Sequence, residues 1–192
     1  MRKRAENVDE TRRRIVAAAV HLHGTIGPAA TTMTGVAERA GVTRLTLYRH
    51  FPGEEELFQA CSAHWYSQQV PPDPAGWART AGARERLRTG LADVYRFYRD
   101  GEPMLALIHR DWHLLPAERR EASAAAQRAW CDLLLEPFHA SGARARRLRA
   151  AIAHALEFGT WQSLCRTHGL DDRAAVRLMV GLADAALRSA GS

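Results

Sequence analysis

Apolar residues recur along almost the whole chain at spacings of three and four, the period of an amphipathic helix. Nowhere do apolar and polar positions alternate for long enough to make a strand. Ile15, Ala18, Ala19, Leu22 and Ile26 line one face of a first helix predicted over about 9–26, and Gly27-Pro28 ends it. Val36, Ala37, Ala40, Val42, Leu47 and Phe51 are the inward positions of two short helices that follow, and Leu57, Phe58, Cys61 and Trp65 stripe a fourth over about 53–69. Val70-Pro71-Pro72-Asp73-Pro74 is a clear break, with loop expected to about residue 81. Leu87, Leu91, Val94 and Tyr98 define a fifth helix over about 83–99, and Gly101 and Pro103 separate it from a short sixth at about 104–115. Pro116 opens a seventh, to about 140, and the last two are expected at about 143–167 and 171–190. The fold class is therefore all-α, with about nine helices: an amino-terminal three-helix domain over residues 1–52 and a helical carboxy-terminal domain over residues 53–192.

Residues 31–51, TTMTGVAERAGVTRLTLYRHF, carry the chemistry. Ala37 has nothing beyond Cβ, so a second helix can cross close over it. Gly41, four residues on, supplies the positive φ of a sharp helix-to-helix turn. Thr32 and Thr43 stand where an N-cap hydroxyl satisfies orphan amides, and Pro52 stops the second helix. With Leu47 and Phe51 turned inward, Thr43, Arg44, Leu45, Thr46, Tyr48, Arg49 and His50 take outward or flanking directions. That is a helix-turn-helix with a basic polar outer face, built to enter a major groove. Arg44 can bond guanine O6 and N7 together, and Leu45 can touch a thymine methyl. The alternatives are a merely solvated charge at Arg44 and a partly buried core ring at Tyr48.

Charge supports the same reading. The net +6 is uneven: residues 1–50 hold nine Lys or Arg against four Asp or Glu, and residues 51–192 hold eighteen against seventeen. Basic charge beside a helix-turn-helix is what a phosphate backbone attracts. Residues 1–8 read as a basic arm, lying along a groove or simply solvated. Cys61, Cys131 and Cys165 are odd in number and far apart, with no Cys-x-x-Cys pair, which argues against a disulfide framework or a zinc site and favours buried thiols over a redox switch. No segment is apolar for long enough to cross a bilayer, and no signal-peptide core follows the first residues, so a cytoplasmic protein is expected. No phosphate loop, dinucleotide fingerprint or nucleophile elbow is present; an enzyme is not expected, nor a cofactor or metal.

The residues Ala18-Ala19, Leu22, Gly27, Thr32, Val36-Ala37, Ala40-Gly41-Val42, Thr46-Leu47-Tyr48, His50-Phe51 and Leu57 closely resemble the DNA-binding region of the tetracycline-repressor (TetR) family of bacterial regulators. The resemblance covers roughly the first 60 residues; the remainder is similar only in length and helical character. It implies that Thr32, Tyr48 and His50 hold backbone phosphates, that the carboxy-terminal domain takes a small apolar or amphipathic effector, and that its last two helices pair with a second copy. Two positions depart. A Phe is usual where this chain has His23, which predicts looser packing of the first helix. A Lys is frequent where this chain runs Gly53-Glu54-Glu55-Glu56, whose carboxylates suit the helix dipole.

Among the candidate effector residues are the rings Tyr98, Trp112, Trp130, Phe158 and Trp161, with His109 and His113 as polar groups. His109 and His113 are also four apart, a metal-ligand spacing without a third ligand in register. Leu148, Ile152, Leu156, Met179, Leu182, Ala183 and Ala186 mix small and large apolar residues, a pattern that permits close helix packing and is expected at a dimer seam. The expected function is a DNA-binding transcriptional regulator: a homodimeric repressor on a pseudo-palindromic double-stranded operator, released by a small effector, with no membrane partner. The alternatives are an effector-independent regulator, or a small-molecule-binding protein or enzyme that only carries a helix-turn-helix.

Overall fold

The computed structural model describes residues 2–188, with side chains from residue 7 onward. Met1 and residues 189–192, including the expected end of the last helix, lie outside the described residues. Ten α-helices follow one another, and no strand occurs among the described residues. They are α1 (Arg2–His23), α2 (Met33–Ala40), α3 (Arg44–His50), α4 (Glu54–Ser67), α5 (Pro74–Arg79), α6 (Ala83–Arg110), α7 (Ala117–Leu135), α8 (Gly142–Ala155), α9 (Phe158–Gln162) and α10 (Asp172–Arg188). A π-helical turn, Ser163–Thr167, continues α9. The chain divides into two compact units, residues 1–70 with 101–116 and residues 71–100 with 117–192.

In the first unit, α1, α2, α3 and α4 close on Ile15, Ala19, Val36, Ala37, Leu47, Phe51, Leu57 and Cys61. Helix α1 already begins at Arg2, so the expected basic arm is helical backbone there, and it ends at His23, leaving Ile26 exposed. The predicted break at Gly101 and Pro103 does not occur: α6 runs on to Arg110. Pro103 is exposed, where its ring can be accommodated by bending. Gly101 is buried because α4 comes close, and a Cβ there would lie 3.1 Å from the Trp65 ring. The glycine records a tight packing contact, not a helix end.

In the second unit, Trp77, Leu87, Leu91, Tyr95, Leu134, Leu148, Ile152, Leu156 and Trp161 are fully buried. The stretch before residue 81, expected as loop, contains α5. Pro74 occupies its first turn, where the missing N–H costs nothing, and buried Trp77 anchors it. The Trp77 indole donates to the Asp93 carboxylate at 2.9 Å, and the Asp73 amide does so at 2.7 Å. Burial works to raise the Asp93 pKa, but these donors and Arg96 hold it below the usual carboxylate value. The predicted helix at 143–167 is divided instead into α8, α9 and the π-turn. Helices α8 and α10 pack along each other.

Candidate nucleic-acid interface

Each corner of the helix-turn-helix is satisfied by a side chain or a turn that the local sequence supplies. The Thr32 hydroxyl accepts from the Gly35 amide at 3.0 Å and caps α2. The Thr43 hydroxyl accepts from the Thr46 amide at 3.1 Å and caps α3, while the two threonine hydroxyls lie 2.9 Å apart. Gly41 between them has φ 64, the left-handed conformation that lets α2 stop and the chain turn. From α1, the Arg14 guanidinium donates to the Ala40 and Gly41 carbonyls and so satisfies the carboxy-terminal end of α2. Arg12 of the same helix lies 4.6 Å from the centre of the Phe51 ring.

These constraints set which residues of α3 face solvent. Leu47 is fully buried and Phe51 nearly so, whereas Thr43, Arg44, Leu45, Tyr48 and Arg49 are exposed. Leu45 is 73% exposed, a large apolar side chain that the fold itself leaves in water, and Tyr48 is 40% exposed, not a core ring. Thr46 and His50 are half-buried on the flanks, and Thr32 is exposed at the start of α2. The structure thus presents Arg44, Leu45, Tyr48 and Arg49 on the solvent side of one seven-residue helix.

His23 does not loosen α1. Its ring is buried, 5.4 Å from the centre of the Phe58 ring, and its Nδ1 lies 3.2 Å from the Cys61 sulfur. Burial lowers its pKa to about 4, so the imidazole is neutral at physiological pH. Nothing in the helical periodicity signals this pair, because its members are 38 positions apart. Another residue missed by sequence reasoning is Asp111, buried beyond α6, which accepts from the Ala29 amide at 3.0 Å and from Arg110. The hydrogen bond from Arg110 holds its pKa below the ordinary carboxylate value.

The candidate effector residues fall into separate groups. Tyr98, Phe158 and Trp161 form one ring cluster in the second unit, with centres 5.3 to 6.0 Å apart. The Tyr98 hydroxyl donates to the Leu156 carbonyl at 2.6 Å, and the Trp161 indole donates to Asp172 at 3.1 Å. Trp130 packs edge-on to Trp77, 5.8 Å away. His109, Trp112 and His113 belong to the first unit and are exposed. Because α6 ends at Arg110 and residues 112–114 form a 3-10 turn, the two histidines do not share a helix face. No group of three metal-binding side chains occurs among the described residues.

The candidate seam residues Leu148, Ile152, Leu156, Met179 and Ala183 are buried within the single chain, and Ala186 is half-buried. Leu182, at 41%, is exposed, together with Leu178 at 50%. All three cysteines are buried. Burial raises the Cys131 thiol pKa and pushes that of Cys165 up to about 11, which keeps both protonated.

A three-helix unit with a capped, basic and outward-facing α3 defines the class of helix-turn-helix DNA-binding proteins. Residues 15–61 match the bacterial regulatory proteins of the tetR family. The HTH-type transcriptional regulator SrpR of Pseudomonas putida is 42% identical over 70 residues, which is 36% of this chain and 32% of SrpR. The HTH-type transcriptional regulator TtgR, also of Pseudomonas putida, is 43% identical over 60 residues, 31% of this chain and 29% of TtgR. The matched stretch therefore spans about a third of the length of these relatives. The fold extends further. A TetR-like transcriptional regulator from Rhodococcus sp. RHA1 has a TM-score of 0.64 at 19% identity, covering 92% of this chain and 95% of that one. NalD of Pseudomonas aeruginosa has a TM-score of 0.55 at 17% identity, covering 96% and 100%.

Proposed function

We propose that this chain is a DNA-binding transcriptional regulator, not an enzyme, and that it acts as a homodimeric repressor released from a pseudo-palindromic operator by a small apolar or aromatic effector. The observation that carries the reading is α3 itself. Buried Leu47 and the Thr43 cap fix its orientation, and Arg44, Leu45, Tyr48 and Arg49 stand in solvent as a compact reading face. Arg44 and Leu45 are assigned to base edges. Thr32, Thr43, Thr46, Tyr48, Arg49 and His50 are assigned to sugar and phosphate, which position the helix without reading sequence. DNA reading belongs to residues 1–52 and effector binding and pairing to residues 53–192.

One recognition helix covers half a site, so a second copy must hold its twin a helical turn or a multiple away. Leu178 and Leu182 on α10 are the apolar side chains open to that partner. The Tyr98, Phe158 and Trp161 cluster, with Trp130, is the candidate effector region, where the Tyr98 hydroxyl donates to the Leu156 carbonyl. The repressor sign follows NalD, described as the secondary repressor of the MexAB-OprM multidrug efflux pump. No helix among the described residues is long and apolar enough to cross a membrane, in keeping with a cytoplasmic regulator. Capture of sheared genomic DNA by the purified protein tests the reading. A single recurring inverted repeat among the captured fragments is expected, and random recovery would overturn it.

A further inference from the structure

The first unit holds a cavity of about 150 Å³ between the end of α1, the start of α2 and the start of α4. Cavities of roughly that volume admit a benzene-sized guest. Met33, Val36, Leu57 and Phe58 supply its apolar wall, and His23 is the buried polar group beside them. The Cys61 sulfur lies 3.2 Å from both the Phe58 carbonyl oxygen and the His23 Nδ1. A neutral imidazole carries one N–H donor and one lone pair. Glu54 and Glu55 are exposed at the rim, and no Lys or Arg lines the cavity among the described residues. The lining thus combines a ring-sized apolar space, an imidazole and two carboxylates.

We propose that this cavity binds a compact organic cation, an ammonium or amidinium carried on an apolar ring, with the ring among Met33, Val36, Leu57 and Phe58 and the charge toward Glu54 and Glu55. Thr32, which caps α2, shares the same lining, so an occupant touches the start of the helix-turn-helix. The site lies within the first unit and is separate from the ring cluster of the second. The test needs no DNA and so stands or falls apart from the operator reading. Benzylammonium, benzyl alcohol and benzoate are titrated onto the full chain, with the imidazole signal of His23 read by NMR and assigned by its loss in His23→Phe. Benzylammonium is expected to shift that signal saturably and about fivefold more tightly than the alcohol, the upper end of what an ion pair at an exposed rim is worth. Benzoate is expected to give no shift. Glu54→Gln with Glu55→Gln should reduce benzylammonium to the affinity of the alcohol, and Ala29→Leu or Thr31→Leu, which fill the space, should abolish both. Equal affinities in the unaltered chain, no saturable shift, or full binding in both filled variants would each overturn the proposal.

Discussion

At the scale of single residues, Arg44 and His23 show how much depends on which side of a helix a side chain falls. Arg44 is exposed at the first position of α3, where a guanidinium can address two acceptors of one guanine. Arg44→Ala is expected to cost about 1–3 kcal/mol on the captured operator and to leave binding to random DNA nearly unchanged. Competition binding with both DNAs measures this, and an equal loss on each would make Arg44 a phosphate contact. His23 is the opposite case, a polar ring taken out of water. Its folded pKa of about 4 lies below the unfolded value near 6.5, so folding favours the neutral ring. The associated stability is fully present above pH 6.5 and is lost as pH falls toward 4, in total about 3 kcal/mol. Denaturant titrations across that window should therefore slope downward with acid, and His23→Phe should flatten the slope. An unchanged slope would place the acid sensitivity elsewhere.

At the scale of elements, the helix-turn-helix is specified locally and the other helices are specified by what they meet. Thr43→Ala removes the cap of α3 and should lower stability by about 0.5–2 kcal/mol, within the range of N-cap deletions. Thr46→Ala leaves the cap acceptor in place and should cost less; chemical denaturation of the two variants side by side checks the order. The caps, Gly41 and the inward Leu47 were legible because all depend on neighbours a few positions away. The breaks were less so. Gly101 and Pro103 have the local signature of a helix end, yet α6 continues because Gly101 is answering to Trp65 on α4. The proline-rich stretch before residue 81 has the signature of a loop, yet Trp77 and Asp93 hold a helical turn within it.

At the scale of the whole molecule, charge and pairing decide behaviour. Since released counterions supply much of the free energy of DNA binding, the logarithm of operator affinity should fall steeply and linearly with the logarithm of salt. A flat line, measured by fluorescence anisotropy from about 50 to 300 mM salt, where screening changes strongly, would remove the nucleic-acid reading. For the dimer, Leu182→Arg is expected to favour monomers in sedimentation, because an interface closed over Leu178 and Leu182 would bury an unpaired ion. A normal dimer would locate the contact on another face.

From its sequence alone, this protein is an all-helical chain whose residues 31–51 form a helix-turn-helix with Arg44 and Leu45 turned outward. Helical period, capping hydroxyls and one left-handed glycine act over about three to six positions, and they are written contiguously. What only the tertiary structure decided is who each face packs against. Leu148, Ile152, Leu156, Met179 and Ala183 carry the stripe of a dimer seam, but they are buried in one chain, because periodicity records that a face is covered and not by which helix. The pairing of His23 with Cys61, the closure of Tyr98 on Leu156 and the separation of His109 from Tyr98 into different units likewise depend on contacts between distant positions. Such contacts are set by how helices cross, a property of the folded chain that no local spacing encodes.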